Sequence, residues 1–175
     1  MAGHNKWSKI KRQKEKTDAQ KSKIFSKMVK MIQVEAKKAA GNVSSPGLKA
    51  AIEKARAMNM PNDNIDRAIK KSAEAGEQEV VIYEAYGPGG CAMIIECLTD
   101  NKNRANQDVK TVLSRNGFSM AGVGAASWAF THNPGEDWIP TSTIPLSEED
   151  GEKLSTLIDE LEESDEVNDI YTNAE

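Results

Sequence analysis

The chain has 175 residues, of which 38% are hydrophobic and 29% charged, and its formal net charge is −4. A chain of this length forms one or two domains, and no apolar run approaches the ~20 residues of a membrane-spanning helix. Its first residues also lack the apolar stretch of a secretory signal, so we expect a cytoplasmic protein without membrane contact.

The overall charge conceals a strong asymmetry along the chain. Residues 1–75 hold 18 Lys and Arg against 7 Asp and Glu, a net charge of +11, whereas residues 76–175 hold 5 against 20, a net charge of −15. A basic segment joined to an acidic one indicates a positive surface for a polyanion, which the acidic half would repel and thereby orient. The alternative is that the two halves attract each other.

The first 16 residues are polar and rich in lysine, which is typical of a basic arm that becomes ordered when it meets a partner. Lysines neutralise phosphate groups as point charges and give affinity without sequence information. Trp7 either stacks on an exposed base or packs onto the following helices. The candidate nucleic-acid-binding residues of the arm are His4, Asn5, Lys6, Trp7, Lys9, Lys11, Arg12, Lys14 and Lys16.

From about Thr17 to Ala40 the apolar residues recur with the period of an α-helix. Most of them, including Ile24 and Ile32, fall on one side of that helix, while five lysines gather on the other side. We expect these lysines to extend the cationic surface of the arm. They form the lysine face of the helix and are Lys23, Lys27, Lys30, Lys37 and Lys38.

Two shorter helices follow the first one. Ser45 is a typical N-cap, and Pro46 is suited to the first helical position. Pro61 ends the second helix because the residue before a proline avoids helical geometry, and Asn62 can cap the third helix. Three amphipathic helices joined by short breaks predict a three-helix bundle, which together with the arm makes a nucleic-acid-binding domain over residues 1–76.

Beyond Gly76 the pattern is typical of strands and helices that alternate. The predicted elements are strands at Val80–Ala85 and Cys91–Leu98 joined by a glycine-rich turn at Tyr86–Gly90, a helix that Asp100 and Asn101 open and Asn116–Gly117 closes, strands at Ser127–Phe130 and Thr141–Leu146, a helix from Ser147, and a strand at Val167–Tyr171. With the first strand taken as an addition, this order is the βαββαβ of a ferredoxin-like fold. The sequence therefore predicts an α+β protein whose second domain, residues 77–175, is acidic and ferredoxin-like.

The sequence lacks the residue groups that catalysis or metal binding needs. His4 and His132 lie far apart, and neither has a cysteine, histidine or carboxylate at ligand spacing. Cys91 and Cys97 lie too far apart in one strand for a disulfide and share one parity, so we expect two buried free thiols in a reducing compartment. We therefore expect a non-enzymatic protein without a cofactor or metal.

Several segments resemble the YebC/PmpR family. They are Ala2–Lys11, Ile52–Ala57 with Asn59–Ile65, Tyr86–Gly90, Leu98–Arg104, Ile139–Thr143 and Asn168–Asn173. The family usually carries a third α/β domain between the strands that correspond to Ser127–Phe130 and Thr141–Leu146, whereas this chain bridges them with Thr131–Pro140 alone. The resemblance is therefore to a short member with two domains.

The resemblance implies a cytoplasmic transcriptional regulator that binds promoter DNA. Other members are linked to translation, as mitochondrial activators and as bacterial factors acting on ribosomes stalled at proline-rich stretches. Ribosomal RNA is therefore the alternative partner for the same surface, and no base-reading helix-turn-helix signature separates the two.

Two further contacts are expected from the second domain. Arg104, near the start of the helix that follows Asp100, can add one phosphate contact. The acidic character of residues 76–175 also allows a surface for a protein partner.

Overall fold

A computed structural model describes residues 18–133 and 136–175 of the chain. These residues form five α-helices and an antiparallel sheet, so the mixed α and β content predicted from the sequence is confirmed. The described residues divide into two compact units, one within Lys16–Glu79 and the other within Val80–Glu175. Each unit has a hydrophobic core of its own.

The first unit consists of helices α1 (Asp18–Lys38), α2 (Pro46–Ala57) and α3 (Asn62–Lys70). Their apolar stripes meet in one core, in which Leu48 and Ile65 are almost fully buried. Burying a side chain of this size stabilises a fold by about 2 kcal/mol, so the three helices hold one another in place. Their finer description as a three-helix bundle stays a prediction.

The helix ends follow the sequence signals in most places. Gly41, just after α1, has a positive φ of 78°, which glycine adopts without strain. Ser45 lies at the N-cap of α2, as predicted. The cap predicted for α3 is wrong by one residue, because Pro61 occupies the N-cap. The side chain of Asn62 instead accepts a hydrogen bond from Nε of Arg56 at 3.2 Å.

The second unit is built on a four-stranded sheet with the order β3–β1–β2–β6. Its strands are β1 (Glu79–Tyr86), β2 (Ala92–Thr99), β3 (Met120–Ala121) and β6 (Val167–Thr172). Strand β1 pairs antiparallel with β3, and β2 pairs antiparallel with β6. The strand that we predicted as an addition is therefore an interior strand of this sheet.

Helices α4 (Lys102–Arg115) and α5 (Glu148–Glu163) pack on one face of the sheet. The side chains of Asn101 and Ser147 each accept a backbone N–H three residues further along the chain, both at 3.1 Å. Such a bond satisfies one of the N–H groups that a helix leaves open at its start. The helix starts predicted at these two residues are confirmed.

Strand β2 is buried on both faces of the sheet, which accounts for its almost unbroken apolar sequence. Ile95 and Cys97 belong to the core shared with α4 and α5, whereas Ile94 packs in a second core with Phe130 on the opposite face. Cys91 lies in the first of these cores together with Cys97, and both are buried free thiols, as predicted.

The predicted strand Ser127–Phe130 is wrong for most of its length. Ser127–Ala129 form a turn of 3-10 helix, and only Phe130–Thr131 are extended. They form β4, which pairs with β5 (Ile139–Pro140) in a separate two-stranded sheet.

The cause of this difference is the buried carboxylate of Glu84 on β1. One oxygen accepts the N–H of Gly124 at 2.7 Å, and the other accepts those of Ala126 at 2.7 Å and Ser127 at 2.8 Å. Because the carboxylate takes these N–H groups, the chain curls around it, and no strand ladder forms there.

The strand predicted at Thr141–Leu146 is also wrong. One isolated parallel bridge, between Ile144 and Ala174, is the pairing found in that segment. The backbone N–H groups on the two sides of Pro145 donate to carbonyl oxygens near the end of the chain, at 2.8 and 3.3 Å, so Pro145 breaks neither bond, but this pairing is too short to form a strand. Neither of these two segments joins the four-stranded sheet, so the ferredoxin-like description is not confirmed.

Candidate nucleic-acid interface

The basic arm carries most of the predicted binding residues, and all of these lie outside the described residues. They are His4, Asn5, Lys6, Trp7, Lys9, Lys11, Arg12, Lys14 and Lys16. Of the predicted site residues, the structure describes only Arg104 and those on the lysine face of α1.

The lysine face of α1 is exposed toward both ends of the described helix. Lys23, Lys37 and Lys38 are exposed, whereas Ile32 and Ala36 on the other side of the helix are fully buried. Lys37 and Lys38 lie in the last turn, where positive charge also complements the partial negative charge of the helix terminus. These three positions present positive charge to solvent, as the helical pattern predicts.

The middle of the lysine face is covered. Lys27 is only 9% exposed, and Lys30 is partly buried. Val34, which lies two turns after Lys27 on the same side, is 8% exposed. The apolar residue Val34 thus lies in the buried middle part of the lysine face. The lysine face is therefore exposed to solvent at its two ends and largely buried in the middle.

The exposed lysines at the end of α1 already have partners within the first unit. Nζ of Lys38 forms an ion pair with Oε1 of Glu35 at 3.0 Å, and Nζ of Lys37 donates to the carbonyl oxygen of Ala75 at 3.1 Å. Exposed ion pairs contribute about 1 kcal/mol or less, so a phosphate group can replace Glu35. The partner of Lys37 is an uncharged carbonyl oxygen, so no carboxylate has to be displaced when a phosphate group binds there.

We did not predict the cations of α2 and α3 as part of the site. The exposed ones on and just after these helices are Lys49, Arg56, Arg67, Lys70 and Lys71. The signal was present, because charged residues between the apolar positions of an amphipathic helix lie toward solvent. Asp63 and Asp66 on α3 offset part of this charge.

A groove of about 510 Å³ lies beside α1 and the start of α3. Phe25, Val29 and Met60 supply its apolar surface, and Lys21 and Asn64 are among its polar lining residues. The groove combines one cation with an apolar floor, which suits contact with the edge of a base or sugar beside a phosphate. It lies in the same unit as the lysine face.

Arg104 is held by two carboxylates of the second unit. Its Nε donates to Oε1 of Glu166 at 2.6 Å, and its terminal nitrogen pairs with Asp100. The hydrogen bonds to Glu166 and then to Asp100 raise the pKa of the guanidinium above its usual range. Since two negative charges surround this cation, the arrangement favours a structural role for Arg104 over the predicted phosphate contact.

Other kinds of site find no support in residues 18–133 and 136–175. No group of three or more His, Cys, Asp or Glu side chains there could hold a metal ion. Burial raises the pKa of the Cys91 thiol to about 11, which disfavours the reactive thiolate. Within the same residues, no helix is long and apolar enough to span a bilayer.

Family models match nearly the whole chain. A model described as "TACO1/YebC protein N-terminal domain" matches residues 5–75, and one described as "TACO1/YebC second and third domain" matches residues 77–135 and 133–174. The two stretches of the second match meet in the connection between β4 and β5.

Curated relatives align with the full chain. A protein of Bacillus licheniformis is 43% identical over 181 positions, which cover 100% of this chain and 75% of the relative. A protein of Pseudothermotoga lettingae is 34% identical over 238 positions, which cover 100% of this chain and 94% of the relative. Both are named "Probable transcriptional regulatory protein". The second alignment is more than 60 positions longer than the chain, so this relative contains residues that have no counterpart here.

A solved structure has the same fold over most of its length. It is the crystal structure of a conserved hypothetical protein, Aq1575, from Aquifex aeolicus, with a TM-score of 0.76 and 30% identity. The match covers 91% of this chain and 92% of that one. Together with the family models and the full-length alignments, it shows that this chain belongs to the TACO1/YebC family, whose curated members are named as probable transcriptional regulators.

Proposed function

We propose that this protein is a non-enzymatic regulator that binds promoter DNA through a nucleic-acid-binding domain spanning residues 1–76. The observation that carries the proposal is the charge division: residues 1–75 have a net charge of +11, although the whole chain is acidic. The exposed ends of the lysine face and the cations of α2 and α3 support it, because they give this part of the chain an extended positive surface. The names of the curated relatives fit the same role.

The proposed mechanism is neutralisation of phosphates with little reading of bases. Each lysine that replaces a condensed counterion adds affinity without sequence preference. Lysine is a point charge, whereas the bidentate contacts that distinguish bases mostly use arginine, asparagine or glutamine. The arm residues Lys9, Lys11, Arg12 and Lys14 supply the densest run of positive charge in the sequence, and Lys37 and Lys38 add exposed charge in the last turn of α1.

Two variants that each remove four positive charges, one from the arm and the other from the acidic half, test this proposal. We expect Lys9, Lys11, Arg12 and Lys14 changed together to alanine to abolish measurable DNA binding, because each phosphate contact is worth about fivefold at 0.15 M salt. The matched control changes Lys102, Lys110, Arg115 and Lys153 to alanine, removing the same charge from the acidic half. Fluorescence anisotropy with a labelled duplex measures both affinities, and circular dichroism checks that both variants fold.

The control should bind duplex DNA within about twofold of the unaltered protein. Equal losses in the two variants would mean that net charge alone governs binding. Retained affinity in the arm variant would place the site elsewhere on the protein.

The second candidate function is a translation factor that uses the same surface on ribosomal RNA. The preference for lysine over arginine is as compatible with ribosomal RNA as with DNA, because contacts to a phosphate backbone do not distinguish the two polymers. Crosslinking in cells, followed by sequencing of the recovered nucleic acid, separates them. Promoter fragments support the first function, and ribosomal RNA supports the second.

The acidic domain, residues 77–175, is proposed to face away from the nucleic acid. Its net charge of close to −15 repels phosphate and leaves its surface open to a protein partner. The cytoplasm is the proposed compartment, since both cysteines are free thiols.

A further inference from the structure

The loop between β3 and β4, residues 122–129, and the adjacent end of β1 display large apolar side chains to solvent. Trp128 is 62% exposed, Tyr86 is 38% exposed, and Val123 is fully exposed. Three residues close to Trp128 in the chain are buried, namely Ala126, Ala129 and Phe130. The backbone is thus anchored in the second core while the indole of Trp128 points outward.

The same loop is held in one conformation by the buried carboxylate of Glu84. Its three hydrogen bonds join the carboxylate to the N–H groups of Gly124, Ala126 and Ser127 at 2.7 to 2.8 Å. Hydrogen bonds to an ionised acceptor are roughly twice as strong as neutral ones. A surface fixed in this way loses little conformational entropy when a partner binds.

The polar atoms of Trp128 and Tyr86 already have hydrogen-bond partners in each other and in the loop backbone. Nε1 of Trp128 lies 2.9 Å from both the hydroxyl oxygen of Tyr86 and the carbonyl oxygen of Ala125. The hydroxyl of Tyr86 also donates to the carbonyl of Ala125. What remains for a partner is therefore the face of the indole ring together with apolar surface. Exposed tryptophan and tyrosine in such a setting are typical of binding hot spots.

Charge decides which kind of partner fits this surface. Residues 76–175 hold 20 Asp and Glu against 5 Lys and Arg, so the phosphates of a nucleic acid are repelled. A second copy bound face to face would bring two acidic units together, which is also unfavourable. An arginine is attracted by the acidic unit, and its planar guanidinium stacks on the face of an indole.

We propose that Tyr86, Val123 and Trp128 form a docking surface for an arginine-bearing segment of a partner protein, with the guanidinium stacked on Trp128. The inference rests on the part of the proposed function that gives the acidic domain a protein partner. It is independent of nucleic-acid binding by residues 1–76, so either can fail alone.

Calorimetric titration of the full chain with a defined peptide tests the proposal. The probe is an acetylated peptide of Gly-Arg-Gly-Ser repeats, with Gly-Lys-Gly-Ser repeats for comparison. We expect the arginine peptide to bind more tightly, and Trp128→Phe to retain most of this affinity. Trp128→Leu keeps an apolar side chain but removes the aromatic face, and it should weaken binding about two- to fivefold.

The matched control is Val80→Ala, because Val80 is 47% exposed at the other end of the strand that carries Tyr86, about 20 Å along it. It should leave the affinity for the arginine peptide unchanged. Equal affinities of the unaltered protein and Trp128→Leu would overturn the proposal, since attraction to an acidic protein would then suffice.

Nuclear magnetic resonance of the unaltered protein gives a readout that does not depend on any variant folding. The indole N–H signal of Trp128 should shift on addition of the arginine peptide, and that of Trp138 should shift less. If Trp128→Leu loses binding to a single-stranded oligonucleotide, the partner of this surface is a nucleic acid and the proposal is wrong. If the unaltered protein forms a dimer and Trp128→Leu is a monomer, the partner is a second copy and the proposal is equally wrong.

Discussion

The two units of this protein use charge in different ways. In residues 18–79 the cations lie mostly at the surface of three helices, over a core rich in small side chains such as Ala51 and Ala55. In residues 80–175 individual charges hold the structure: Glu84 fixes a loop, and Arg104 joins Asp100 to Glu166. Surface charge that is not needed for folding is free to serve binding, whereas charge committed to internal hydrogen bonds is not.

The largest expected effect comes from each unit's own core. We expect Leu48→Ala to destabilise the first unit and Leu157→Ala the second, each by about 3 kcal/mol, because a buried leucine is lost and a cavity remains. Hydrogen exchange should show faster exchange in α1 to α3 for Leu48→Ala and in the sheet for Leu157→Ala. Uniform acceleration through the whole chain in both variants would show that the two regions do not fold as separate units.

A smaller effect is expected from Glu84→Ala, which removes the acceptor for three backbone N–H groups. The N–H of Ala126 becomes buried without a partner, and we expect a loss of about 2 kcal/mol in urea unfolding. The matched control is Glu149→Ala, since Glu149 is an exposed carboxylate paired with Lys153 and should cost well under 1 kcal/mol. Similar losses for the two variants would contradict a structural role for Glu84.

The smallest predicted effect is a pH dependence that Glu84 confers on the second unit. Burial raises the pKa of this carboxyl, but three backbone N–H groups outweigh it, and the net shift is downward from 4.5. Ionised Glu84 therefore stabilises the fold fully above pH 4.5, and this stability is lost as the pH falls through the lowered pKa. The stability difference between the unaltered protein and Glu84→Gln should shrink over that range. A difference that stays constant with pH would contradict the assignment.

Local signals predicted much of the fold. Helices α1 to α5 lie close to their expected positions, and the caps at Ser45, Asn101 and Ser147 were identified correctly. The buried strand β2 and the hairpin turn before it were also expected, because an apolar run after a glycine-rich turn is a strong signal. These features depend on neighbouring residues, which a single sequence displays.

Features that depend on distant residues were missed. Glu84 lies 40 residues before Gly124, and no sequence signal near either residue predicts the hydrogen bond between them. The 3-10 turn at Ser127–Ala129 and the exposure of Trp128 follow from that bond, so they could not be predicted either. The strand at Thr141–Leu146 was wrong for a similar reason: β-branched residues suggested pairing, but the extent of that pairing depends on Asn173 and Glu175, which are distant in the sequence.

The sequence predicted which side of α1 carries the exposed lysines, but not the burial or the partners of individual residues. Helical periodicity correctly separated exposed Lys23 and Lys37 from the buried side of α1, but it did not show that Lys27 is covered. Periodicity assigns a direction to a side chain and carries no information about what packs over it. The role of Arg104 was obscure for the same reason, because its partner Glu166 lies 62 residues away.

The salt dependence of DNA binding tests the central claim most directly. If the positive charge of residues 1–75 engages about six phosphates, a plot of log affinity against log salt concentration should have a slope near −5 on duplex DNA. Titrations of the full chain with a labelled duplex from about 0.05 to 0.2 M salt cover the informative range. A slope near zero would contradict binding through neutralised phosphates.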